Sequence, residues 1–422
     1  MPSRGLGCNL SAVPVIHRVA LALADTLAVG TLFLAIWIFV PAFNDPLIYL
    51  GVGAPEVSAW LIVSALGAVA LAMGSAPSHA AGRAALVCGG AALLLALTPF
   101  ARFPAAASRF DSTMRLALGG DPLRGVSAEH VAAARQRPLS VIDLFRGIPL
   151  GDAEVLRGIP VAAPDGVALT VDVYRPSRAG TFPTVVQLYG GSWQRGAPGS
   201  NAGFARWLAA RGYVVFAMDY RHAPRSRWPA QIDDVRADLA WVKEHAAEYG
   251  ADPTRVALLG RSAGAHLAMI AGYTDAPLPV SAVVSFYGPS DLVDAYAHPP
   301  RPDPLDIRTI EETLLGGTPA QMPDRYRDAS PITYVTRKLP PTLLVYGGRD
   351  HIVEARYGRA LRDRLVASRT TTVYLEIPWA EHAFDEVLSG PSGQIALYHT
   401  ERFLAWALAG EGFGVQGTGH QR

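Results

Sequence analysis

The chain has 422 residues, half of them hydrophobic, and sets 37 basic side chains against 36 acidic ones for a formal net charge of +1. That length exceeds one average domain and that charge gathers no nucleic acid, so a soluble domain joined to something more apolar is expected. Cys8 and Cys88 are the only cysteines, and there is no HExxH, Walker loop, dinucleotide GxGxxG or fixed-period repeat, so no disulfide framework, metal or cofactor is expected.

The first hundred positions are poor in charge, with Arg4, Arg18 and Arg83 facing Asp25, Asp45 and Glu56. After a tail of residues 1–18, residues 19–104 read as a transmembrane region of about three helices. Residues 19–40 carry one charge, Asp25 near the start, and as a helix would span about 33 Å, enough for the hydrocarbon core. A cleaved signal peptide is the competing reading, but the run is longer than an h-region of about 7–15 residues and further apolar runs follow. Residues 57–73 and 84–100 are uncharged and rich in Ala, Gly and Leu, which favours closely packed spans over a pair of buried core helices. Asp25 reads as a carboxylate snorkelling to the interface. Arg4, Arg18 and Arg83 favour one orientation and Arg102, Arg109 and Arg115 the other, so a multi-pass cell-membrane protein is expected with the side of the soluble domain left open.

Residues 105–152 form a connector, with a helix from Ser127 to Arg137 and an amphipathic piece at Leu139, Ile142, Leu144 and Phe145, and are a candidate cover for a site. From residue 153 to 409 strands alternate with helices, the pattern of an α/β domain whose mostly parallel sheet is covered on both faces. A hairpin turns at Pro164-Asp165-Gly166. Strands are expected at 184–188, 214–218, 256–259, 282–286, 342–346 and 372–376, and helices at 202–210, 231–249, after Ala263, at 356–367 and up to Leu408. Residues 288–331 break the pattern with prolines and charges, as an insertion over the carboxyl edge of the sheet would. The Gly-rich residues 410–422 are expected to be disordered.

Gly260-Arg261-Ser262-Ala263-Gly264 falls between an apolar strand and a helix-forming stretch, the setting of a nucleophile elbow. A serine hydroxyl needs a base, and the order serine, acid, histidine places the partners after the next strands. Asp350 follows strand 342–346 and His382 follows strand 372–376; a solvated turn carboxylate and a loop histidine are the plain readings of each alone. Asp350 would fix the tautomer of His382, whose Nε2 takes the proton of Ser262. His351, Glu354, Glu381 and Asp385 are weaker candidates, His266 reads as a packed core histidine, and His222, His245, His298 and His399 have no constellation around them. Tyr189-Gly190-Gly191-Ser192-Trp193 follows strand 184–188, so the amides of Gly190, Gly191 and Ala263 are the expected oxyanion donors, with a plain glycine turn as the alternative.

These residues resemble the hormone-sensitive-lipase-like and acetyl-esterase branch of the α/β-hydrolase fold, which includes feruloyl-esterase-like and formamidase-like relatives. The elbow, Asp219-Tyr220-Arg221-His222-Ala223-Pro224, Trp228-Pro229-Ala230-Gln231-Ile232-Asp233-Asp234, Phe286-Tyr287-Gly288-Pro289-Ser290-Asp291-Leu292 and Ala329-Ser330-Pro331 carry the resemblance, over residues 155–408. Tyr189 stands where the family has the histidine of its His-Gly-Gly-Gly motif, and Arg225 where an acid often follows Ala-Pro. Asp219 and Arg221 read as structural. With its apolar start the chain is similar to bacterial membrane-anchored carboxylesterases, a resemblance that does not fix the substrate. The triad itself predicts cleavage of short-to-medium acyl esters through an acyl-enzyme on Ser262 with no cofactor, and a membrane location makes lipid or envelope esters reasonable substrates. An amidase or peptidase, an acyltransferase with the same triad, and a non-catalytic membrane scaffold are the competing functions.

Overall fold

The computed structural model describes residues 13–75 and 80–409. The expected tail with Arg4 and Cys8, up to residue 12, and the tail from residue 410 lie outside the described residues. Eight strands form one sheet: β1 (Glu154–Ala162), β2 (Leu169–Arg175), β3 (Phe182–Leu188), β4 (Val214–Met218), β5 (Ala251–Arg261), β6 (Val280–Phe286), β7 (Thr342–Gly347) and β8 (Thr372–Ile377). Their order is β1-β2-β4-β3-β5-β6-β7-β8, antiparallel at β1/β2 and β2/β4 and parallel throughout the rest.

The apolar runs are explained by what covers them. Neighbouring residues of a strand point to opposite faces, so Val185 of β3 joins one core cluster with Val215 and Ala257, and Val186 joins the other with Val214 and Leu258. A sheet dry on both faces favours apolar runs, and all seven residues of β3 are buried, Thr184 and Gln187 included. Beyond β6 the expected insertion carries three short helices, Leu292–Ala297, Ile307–Leu315 and Pro323–Asp328.

Among the described residues the N-terminal region holds four helices, α1 (Val13–Ile36), α2 (Asp45–Glu56), α3 (Ser58–Ser75) and α4 (Ala80–Leu118); α1, α3 and α4 are long and apolar enough to cross a membrane. Their packing inverts that of a soluble bundle. Ala24, Ala28, Ala65, Ala68, Ala85 and Ala92 are buried between the helices, whereas Leu23, Leu66, Val87 and Leu94 point outward with more than half their surface bare. Small residues inside and large apolar ones outside suit helices that meet lipid, where close backbone approach holds them together.

Three sequence expectations need correction here. Asp25 lies near the middle of α1 and half-buried, because the helix begins at Val13 and not at residue 19. The boundary at residue 104 falls inside α4, whose 39 residues run on for about 58 Å in all. The charges at Arg102, Arg109 and Arg115 end the apolar run but not the helix, since Phe103, Ala107, Phe110 and Met114 keep one face buried in the main core. The third concerns the connector. Its helices, Ala128–Ala133 capped by Ser127 and Val141–Arg146, rest on the C-terminal helix Pro391–Ala407 through Arg135 N to Glu401 Oε2 (2.8 Å) and Ser140 N to Gln394 Oε1 (2.7 Å).

The turns joining α1, α2 and α3 dock on the sheet domain. Arg349 donates to Phe39 O, and buried Glu56 accepts from Ser392 N at 2.9 Å, at the first turn of the C-terminal helix. Burial pushes the Glu56 carboxyl up to about 8, against the opposing pull of the bonds from Ser392. A raised folded-state value means that the folded protein holds a proton the unfolded chain has released, so stability is fullest below the ordinary glutamate range and is lost as pH rises towards 8. Glu56→Gln is expected to flatten the dependence of Tm on pH between about 5 and 8 and to raise Tm at pH 8, as measured by thermal unfolding in detergent.

Candidate active site

Strand β5 ends at Arg261 and the helix Ala263–Tyr273 begins at once, so Ser262 alone makes the turn, at φ 51° and ψ −120°. That left-handed backbone is strained for a residue with a side chain and lifts Oγ clear of the sheet. The flanking glycines allow it. A Cβ on Gly264 would stand 2.3 Å from the carbonyl oxygens of Leu188 and Tyr189, and one on Gly260 would stand 2.2 Å from Gly264 O.

His382 and Asp350 come from the loops after β8 and β7. His382 Nε2 lies 3.0 Å from Ser262 Oγ, and its Nδ1 donates to Asp350 Oδ2 at 2.8 Å. The other carboxylate oxygen of Asp350 accepts from the amides of Ile352 (2.9 Å) and Val353 (2.7 Å), which fixes the carboxylate plane. Both side chains are buried. Parallel strands place all three loops at one edge of the sheet, where open α/β sheets bind ligands.

Gly190 and Gly191 follow β3 and line the cavity beside Ser262. Gly190 lies against the serine, where a Cβ would come within 3.1 Å of Ser262 Cβ, and Gly191 has φ 132°. Ala263 opens the elbow helix, so its amide is free of intrahelical bonding. Tyr189 is wired into the interior: its hydroxyl donates to Asp219 Oδ1 at 2.5 Å, His222 Nε2 lies 2.9 Å from the same hydroxyl, and Tyr220 stacks on its ring and donates to its carbonyl at 2.9 Å. His222 thus has a constellation the sequence did not reveal, and His399 has one too, 3.1 Å from Asp111. His266 is paired on both nitrogens, with Trp193 Nε1 donating at 3.2 Å and Ala329 O on the far side, and burial pulls it down to about 4.

Two supports were missed in the sequence. Glu381 accepts from the amides of His351 (2.6 Å) and His382 (3.1 Å) and from the His351 ring, tying the two loops together and raising the histidine's proton affinity. Arg261 pairs with Asp385 in the interior, and Asp385 also accepts from the hydroxyl of Tyr287, whose ring lies 4.5 Å from that of His382. Asp385, weighed as a rival acid, is therefore occupied elsewhere.

Two cavities flank Ser262. One of about 470 Å³ reaches His382, Gly190, Gly191 and Arg195; the other, about 40 Å³ and mostly apolar, runs under the insertion between Trp193, Leu292, Ile310 and Tyr357. Residues 105–152 line neither cavity; in the connector Phe145 meets Trp60 edge-on at 4.9 Å, while Val141 and Ile142 stay exposed. Among the described residues no group of three or more His, Cys, Asp or Glu side chains is arranged to hold a metal ion.

The BD-FAE family model matches residues 171–365, which hold the elbow and Asp350. An acetyl-hydrolase of Streptomyces hygroscopicus is 32% identical over 58% of this chain and 81% of its own length. The chain belongs to the α/β-hydrolase esterases. Within that family it is similar to two Mycobacterium tuberculosis proteins, the probable carboxylic ester hydrolase LipM (34% identical) and esterase LipC (37%); the alignments cover 58% and 55% of this chain and 59% and 61% of those relatives, so it spans about three fifths of their length. A carbohydrate esterase from gut microbiota shares the fold, with 23% identity, a TM-score of 0.50, and coverage of 60% of this chain and 96% of that one.

The two carbonyls against Gly264 leave no room for a methyl group. Gly264→Ala is expected to lower stability by about 1–3 kcal/mol in chemical denaturation, because strand and elbow helix must part to admit it.

Proposed function

We propose that this protein is a membrane-anchored serine carboxylesterase that cleaves short-to-medium acyl esters through an acyl-enzyme on Ser262. The observation that carries the reading is the single imidazole of His382 within hydrogen-bond reach of Ser262 Oγ on one side and Asp350 on the other. In this mechanism Nε2 takes the Ser262 proton as Oγ bonds to the ester carbonyl carbon, and the amides of Gly190, Gly191 and Ala263 receive the oxyanion. Collapse breaks the carbon–alkoxy bond, and Nε2 hands the same proton to the leaving oxygen. Water then enters, gives a proton to Nε2, and its oxygen displaces Oγ, which regains the proton as the acid leaves. Asp350 holds Nδ1 protonated throughout and stabilises the imidazolium. The names of the relatives, esterases and an acetyl-hydrolase, support carboxylic esters as the substrate class.

The inverted packing of α1, α3 and α4 supports anchoring in a bilayer. Three crossings put the start of α1 and the sheet domain on opposite sides. Arg18 and Arg83 flank the far ends of α1 and α4, whereas the 37–57 turn beside the sheet domain has no Lys or Arg. Arg102, Arg109 and Arg115 lie on the stretch of α4 that packs into the folded domain, where the Arg109 guanidinium donates to Glu376 O at 3.0 Å. Short connections govern orientation more than folded domains do, so the sheet domain faces away from the cytoplasm.

Two experiments test this reading. Turnover of p-nitrophenyl esters is expected to fall by a factor on the order of 10⁶ in Ser262→Ala and on the order of 10⁴ in Asp350→Asn, with fluorophosphonate labelling abolished in the first; equal rates in wild type and Ser262→Ala would end it. For orientation, Asp324→Cys and Ser75→Cys in a background free of native cysteines should react with an impermeant maleimide in right-side-out and inside-out vesicles respectively. The opposite pattern would reverse the orientation.

A further inference from the structure

The helix Ile307–Leu315 in the insertion presents Ile307, Ile310, Glu311, Leu314 and Leu315 along one stripe, the spacing of a core-facing helix with a glutamate at its centre. Glu311 is 2% exposed and lines the small cavity that also touches Ser262. Among the described residues neither of its carboxyl oxygens has a hydrogen-bond partner, and Oε2 is wholly out of reach of solvent. The buried Tyr326 hydroxyl nearby is likewise without a partner, and no hydrogen bond joins it to Glu311. Leucine in place of Glu311 would complete the stripe, while a buried polar group without a partner works against folding and is found where a ligand completes it. The neighbouring Tyr357 hydroxyl accepts from Arg356 and makes no hydrogen bond to Glu311.

The reaction geometry assigns the cavity. His382 lines only the large one, and its Nε2 must reach the leaving oxygen, so the alcohol half of an ester lies there and the acyl half enters the small one. About 40 Å³ admits roughly three water-sized groups, so the acyl chain is short. The cavity is otherwise lined by apolar and aromatic side chains such as Leu292, Ala295, Ile352 and Val353, with Ser192 and Ser262 at its mouth.

We propose that Glu311 is a specificity residue for a hydroxyl group on the acyl chain, making short hydroxyacyl esters the preferred substrates. This rests on the esterase reading above and refines it. Burial, reinforced by the charge of Asp291, pushes the Glu311 carboxyl well above the ordinary carboxylate range and so favours its neutral form, which offers one donor and one acceptor. An alcohol group matches it with one acceptor and one donor, whereas a plain alkyl chain leaves the carboxyl unpaired. An ammonium group would need the carboxyl ionised among apolar side chains. The hydrolysis is unchanged: ester and water give the hydroxy acid and the alcohol, and Glu311 takes no proton from the reacting bond.

The test compares kcat/KM for ethyl butyrate with both enantiomers of ethyl 3-hydroxybutyrate, and for ethyl propanoate with ethyl lactate and the ethyl ester of 3-aminopropanoate, using full-length protein in detergent. Wild type should favour at least one hydroxylated ester over its plain counterpart by about tenfold or more. Glu311→Leu should lose or invert that ratio while matching or exceeding the wild-type Tm and keeping its fluorophosphonate labelling, and Glu311→Gln, which keeps a donor and an acceptor, should retain most of it. An unchanged ratio in Glu311→Leu, a wild-type preference for plain acyl chains, or a preference for the amino ester would each overturn the proposal. Absence of labelling in wild type would instead strike the esterase reading itself.

Discussion

One imidazole held between a hydroxyl and a carboxylate sets the requirements that the surrounding structure meets. The three side chains come from residues 262, 350 and 382, and two hydrogen bonds of 3.0 and 2.8 Å tolerate little error in any of their supports. Each support is a backbone device. The strained turn at Ser262 exists because glycines let β5 and its helix close on β3; Asp350 is pinned by two amides of its own loop; the loop of His382 is tied to that of Asp350 through Glu381. The parallel sheet beneath brings these loops to a common edge.

Much of this was legible because buried parallel strands have nowhere to hide their composition. The apolar runs at 214–218, 282–286 and 342–346 fall in strands β4, β6 and β7, and the order of serine, acid and histidine along the chain matches the order of the strands that present them. The elbow glycines were visible for the same reason: a close approach of backbones excludes every other residue.

Elements whose signal is spread over tertiary neighbours were harder to read. The charges that ended the apolar run after Phe100 say nothing about the helix, which continues because its buried face keeps a helical period to Met114. The insertion looked irregular since its helices are only six to nine residues long and begin near prolines or aspartates. Tyr189 looked like a departure from a motif, and only contacts with Asp219, Tyr220 and His222, some thirty positions along, show what it does. Glu311 had a visible mark, a carboxylate inside an apolar stripe, but the mark acquires meaning only once the stripe is seen facing Ser262.

The unbroken course of α4 bears on where such a protein can work. One helix passes from the apolar bundle into the main core, where Phe103 packs 5.8 Å from Trp379, with no loop between the two regions. Anchors on pliant stalks let a domain sweep a wide shell of space; a continuous helix, even with Pro99 and Pro104 inside it, allows a much smaller excursion. With α1, α3 and α4 in a bilayer, as proposed above, the site at the carboxyl edge of the sheet would stay within a thin layer near the lipid headgroups, and substrates would have to diffuse into that layer.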